Sequence, residues 1–89
     1  MTLQERRELR RKVLSYVREN LDQFTLRDRA RIRMALRFAP DLVAEEILNH
    51  AEAENIIDPK ETKEINWEAL ADFIIKVLPV IIEAILKFL

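Results

Sequence analysis

Arg27, Arg29, Arg31, Arg33 and Arg37 form the densest cluster of chemistry-bearing side chains in this 89-residue chain. A guanidinium is a planar fork of donors that suits phosphate and carboxylate oxygens, and several together make a candidate contact surface for a polyanion or an acidic partner. The one histidine, His50, has Glu46 and Glu54 four residues away on each side, so the three would share a helix face. That is half of a metal site. Helical di-metal centres need Glu-x-x-His spacing, and Ile47 stands where the glutamate should be, so no metal is expected. The single serine, Ser15, lies between Leu14 and Tyr16 with no histidine near it in sequence. No catalytic residue, no cofactor and no enzymatic activity are expected.

Composition narrows the field further. Cys 0 excludes disulfides, thiolate metal sites and cysteine nucleophiles, while Gly 0 removes the loops that cradle phosphates or dinucleotides. The net charge of -1 conceals a division. Residues 1–37 hold all the arginine and are net basic, whereas residues 38–89 have only lysine among their bases and are net acidic. Either the two halves fold on each other, which is the preferred reading, or the basic half faces a polyanion. The absence of cysteine and of a signal-like apolar opening suggests an intracellular, cytoplasmic chain.

Asp58, then Ile65-Asn66-Trp67-Glu68, resembles the latter part of an EF-hand calcium loop entering its exit helix. That loop needs oxygen ligands at its positions three, five and twelve and glycine at six, where this chain has Lys60, Thr62, Ala69 and Lys63. The resemblance implies a degenerate loop without calcium, and no site is carried over.

The elements that must position these residues are helical. Thr2-Leu3-Gln4-Glu5 is a capping box, and Leu9, Val13, Tyr16, Val17, Leu21 and Phe24 recur at helical steps, predicting a helix over about 3–22. Thr25 repeats the capping pattern. Beyond it, Ala30, Ile32, Met34, Leu36 and Phe38 alternate with arginines, which is a strand-like period. Read as a strand, the segment resembles that of ribbon-helix-helix repressors, though here a long helix precedes it. Read as a helix joined to the first across Asp22–Thr25, it resembles the reader of a helix-turn-helix. Ala, Leu, Met and Arg favour helix, predicted over 26–38 and contacted on more than one side.

Pro40 suits the first turn of a third helix that buries Val43, Ala44, Ile47, Leu48 and Ala51 and fades near Glu54 or Asn55. Asp58-Pro59-Lys60-Glu61 is expected to form one short turn in the connection that follows. Asn66 caps a last helix over 67–89. At about 100° per residue, Glu68, Asp72, Lys76, Pro79, Glu83 and Lys87 fall on one narrow stripe and leave about 260° apolar. Pro79 on that stripe predicts a bend and not a break.

The expected fold is thus all-α, a single domain of four main helices, with the C-terminal helix central or at an oligomer interface. Ile74, Leu78, Ile81, Ile85 and Phe88 are the candidates for that interface. The leading reading is a small non-enzymatic interaction protein that associates with itself or another protein. A nucleic-acid-binding regulator that contacts the backbone through Arg27–Arg37 is the alternative, and a membrane surface ranks below both.

Overall fold

A computed structural model describes residues 1–58, 60 and 65–88. Four helices, α1 (Leu3–Glu19), α2 (Leu26–Phe38), α3 (Pro40–Ala53) and α4 (Trp67–Leu86), pack on one another, and no strand occurs among the described residues. The alternating arginine segment is α2, so the strand and the ribbon-helix-helix likeness built on it both fall. Its Thr25 hydroxyl accepts from the Asp28 N–H at 3.1 Å, and a helix once started propagates through strong helix formers.

Capping sets the other boundaries. Thr2 and Glu5 complete both halves of the capping box, at 3.1 Å each way. The α1 helix ends earlier than its apolar spacing suggests. The Asn20 side-chain amide donates to the Tyr16 carbonyl at 2.8 Å, and Leu21–Gln23 continue as a single 3-10 turn. A short polar side chain competing for backbone carbonyls ends helices in this way.

The exit from α3 shows how a chain without glycine turns a helix end. Asn55 takes a left-handed conformation, with φ 58. The Ile56 N–H then reaches the Ala51 carbonyl at 2.8 Å and the Asn55 N–H reaches Glu52 at 3.1 Å. These are the two bonds of a Schellman cap, and asparagine is the residue other than glycine that most readily occupies its left-handed position. Ile57 is then delivered into the core. In the connection beyond, Asp58 accepts from the Lys60 N–H at 2.9 Å. The rest of the expected turn and of the calcium-loop likeness lies outside the described residues.

The core sits where α3 meets each of the other three helices. Val43, Ala44, Ile47, Leu48 and Ala51 of α3 are fully enclosed. Two are alanines, which let neighbouring helix axes approach. From α1 come Leu9, Val13 and Val17, from α2 Ile32, Ala35 and Leu36, and from α4 Leu70 and the Ile74–Ile85 ridge. The α4 helix runs unbroken through Pro79, and Glu68, Asp72, Lys76, Glu83 and Lys87 all lie on its wet side as their spacing predicts. No helix among the described residues is long and apolar enough to cross a membrane.

The Asn55 cap makes a sharp test. Replacing Asn55 by Ala should cost about 1 kcal/mol, because a Cβ without a local hydrogen-bonding group pays the left-handed penalty in full. Asn55→Gly should be neutral or stabilising by up to about 1 kcal/mol. Urea unfolding of the three proteins would rank them.

Candidate functional site

The arginines divide by where their helices turn. On α1, Arg6 points at the acidic side of α3. Its Nε and Nη2 grip the Glu45 carboxylate at 3.3 and 3.0 Å, Nη1 donates to Glu52 at 2.6 Å, and Nη2 also meets Asn49 at 3.3 Å. Arg10 adds a second contact to Glu45 at 3.1 Å. The two carboxylates raise the affinity of the Arg6 guanidinium for its proton, chiefly through these hydrogen bonds. This partly buried cluster joins the basic half of the chain to the acidic half, as the charge division implied, but it uses α1 and not the α2 cluster.

Within α2 the candidate residues have separate fates. Arg29 turns back on the connection before its own helix. Its Nε donates to the Leu21 carbonyl at 3.0 Å and its Nη2 to the Phe24 carbonyl at 3.1 Å. It therefore holds the α1–α2 turn and is not free to meet a ligand. Arg31 is half-buried, whereas Arg27, Arg33 and Arg37 are exposed. None of these four forms an ion pair among the described residues. The Arg37 guanidinium lies 5.7 Å from the centre of the Phe38 ring.

Beside the free arginines runs a feature that the sequence pattern concealed. Leu26, Ala30, Met34 and Phe38 follow one another at four-residue steps, and all are exposed. Leu26 is 78% accessible, Met34 52% and Phe38 66%. The inward side of α2 is filled by Ile32, Ala35 and Leu36, so this row has no place in the chain's own core. Within the chain α2 meets both α3 and α4, but this row is left to solvent. The signal was available in the sequence as four-residue spacing, but the stronger alternation masked it.

The candidate interface residues of α4 are placed differently from expectation. Ile74, Leu78, Ile81 and Ile85 are in the core of the same chain, where the helix turns them toward its neighbours. Ile74 and Leu78 are enclosed by their own chain, whereas Ile81 and Ile85, also buried, meet the floor of a surface groove. Phe88 alone of the five lies outside, at 86% accessibility. It belongs to a groove between α3 and α4 of about 220 Å³, lined also by Leu42, Glu46, His50, Val80 and Ala84 and floored by Ile81 and Ile85.

His50 Nε2 lies 3.8 Å from Glu46 Oε2. Among the described residues no three acidic or histidine side chains gather as a metal site would require. A separate cleft lies between α1 and α4, where Lys12 covers Trp67 at 5.6 Å and Arg11, Ser15, Tyr16 and Glu19 add to the lining. Burial lifts the Tyr16 phenol above its ordinary value, and the charge of Asp72 adds to the shift. Ser15 and His50 thus line different clefts and form no nucleophile–base pair. No known protein family, curated protein or solved structure matches the chain.

The division of the arginines can be measured. Arg29→Ala should cost about 1–3 kcal/mol of stability, the consequence of removing a partner from partly buried carbonyls. Arg29→Lys should recover little of it, since one ammonium cannot span both oxygens. Arg27→Ala should change stability by no more than about 0.5 kcal/mol. Chemical unfolding of each variant checks this ranking.

Proposed function

We propose that the chain is a small, non-enzymatic interaction protein that self-associates through the outward face of α2. The observation that carries this reading is the exposed row Leu26–Ala30–Met34–Phe38, flanked by the unpaired Arg27, Arg33 and Arg37. Anchors four residues apart on one helix face are how a helix docks in a partner's groove. Methionine, aromatic residues and arginine are also the types enriched where proteins meet. Covering apolar surface contributes roughly 25 cal/mol per Å², so the row gains most from a partner with apolar centre and acidic edge.

Sedimentation over a range of concentrations tests this. The wild-type mass should rise with concentration, and Met34→Glu/Phe38→Glu should weaken association at least tenfold while leaving helicity unchanged, because both side chains are already in water. A wild-type protein that stays monomeric at the highest concentrations removes the reading.

A backbone-contacting nucleic-acid reading has its own observation. Arg7, Arg11 and Arg18 fall within about 40° of one another on α1, counted at about 100° per residue. None of them forms an ion pair among the described residues. If they meet phosphates together, affinity for duplex DNA should fall roughly forty-fold between about 50 and 200 mM salt. Arg7→Gln/Arg11→Gln should flatten that dependence. No binding, or binding indifferent to salt, excludes this second reading.

A further inference from the structure

Resting on the self-association reading above, we propose that the α3–α4 groove of one copy receives α2 of the next, so that copies of this chain join head to tail. The groove has an apolar floor in Ile81 and Ile85 and apolar walls in Leu42, Val80 and Phe88, the last two 64% and 86% accessible. Its walls run from Leu42 to His50 on α3 and from Val80 on α4 to Phe88 in the turn just past its end. At a rise of about 1.5 Å per residue, each wall is about 12 Å long, the same as the span from Ala30 to Phe38 on α2.

Charge selects the occupant. Among the described residues Glu46 is the one carboxylate lining the groove, and no lysine or arginine lines it. The α2 row is edged by arginines with no counter-ion among the described residues. Pairing α2 with α2 across a two-fold axis would set guanidinium against guanidinium. Pairing groove with groove would bring the two Glu46 side chains together and leave the α2 row in water. Only α2 against the groove covers both apolar surfaces and sets arginine against glutamate.

No residue of α2 lines the groove, so one copy presents both surfaces at once. Joined head to tail, without a two-fold axis repeating the contact inside one dimer, a junction uses one patch of each kind and leaves one of each free. Assembly therefore continues into rings or filaments instead of stopping at a dimer.

The decisive experiment separates the two surfaces. One variant, Met34→Glu/Phe38→Glu, loses the inserting face. Another, Val80→Glu/Phe88→Glu, loses the receiving groove. All four positions are exposed, and circular dichroism and thermal melting confirm that each variant is folded; Ala84→Arg, also exposed, serves as a second groove variant. At a concentration where wild-type assembles, each variant alone should be monomeric. An equimolar mixture should form a one-to-one heterodimer that grows no further, since it joins the intact face of one to the intact groove of the other.

Assembly of the groove variants at wild-type strength overturns the head-to-tail inference and leaves the α2 reading standing. A mixture that stays monomeric overturns it as well, in favour of a two-fold contact. Wild-type strength in the α2 variant, or a wild-type protein that never associates, overturns the underlying reading together with the inference.

Discussion

The enclosure of α3 is the constraint from which the rest of the structure follows. Its buried side meets three other helices, and polar side chains at the edge of that side must sit where a neighbour can answer them. The buried side presents Val43, Ala44, Ile47, Leu48 and Ala51, all fully enclosed, and its flank toward α1 carries Glu45, Asn49 and Glu52. Arg6 and Arg10 answer that flank. Removing Arg6 would leave Glu52 without its cation and Glu45 with Arg10 alone, so the cluster acts as much to fix the register of α1 on α3 as to add stability.

That constraint also explains which arginines turn inward. Counted at about 100° per residue from Leu3, Arg6 falls at about 300°, between Val13 at about 280° and Val17 at about 320°. It continues the buried stripe of α1 past the end of the core, where α3 meets it with carboxylates instead of methyl groups. Arg7, Arg18 and Arg11, at about 40°, 60° and 80°, lie just beyond the Leu14 edge of that stripe and remain in water. The side chain is the same in each case, and phase on the helix decides its use. On α2 the same logic separates Arg29, which reaches the carbonyls of Leu21 and Phe24, from Arg33 and Arg37, which face out.

Features written in local chemistry were legible from the residues alone. Thr2, Thr25 and Asn66 start their helices as their hydroxyl and amide groups dictate, and Pro40 opens α3. The polar seam of α4 is visible because charges on a strongly apolar helix have nowhere else to go. Features that depend on which face meets which neighbour were not legible. The alternation in α2 reads as a strand because its arginines and apolar residues are interleaved, and nothing local says that only the Ile32–Ala35–Leu36 arc will be covered. Likewise the width of the apolar side of α4 pointed to a partner copy for Ile74, Leu78, Ile81 and Ile85. The same chain takes up those residues in its own core, where α4 packs chiefly on α3 and α2, and the surplus appears instead at Val80 and Phe88.

The placement of that surplus bears on what the protein can do. A chain of this length buries a modest core, and apolar residues beyond its capacity stay on the surface. Scattered singly, they would need no explanation. Here, apart from Leu3 and Trp67, the exposed large ones gather at two places, a row on α2 and the walls of the α3–α4 groove, and each place inherits the charge of its half of the chain: arginine beside the row, glutamate in the groove. The division of charge along the sequence therefore persists as a division of the surface. Its inner portion is consumed by the Arg6–Glu45–Glu52 cluster, which joins the halves within one molecule. Its outer portion has no such partner in the same copy, and the physics that joins α1 to α3 inside the chain is available to join one chain to the next.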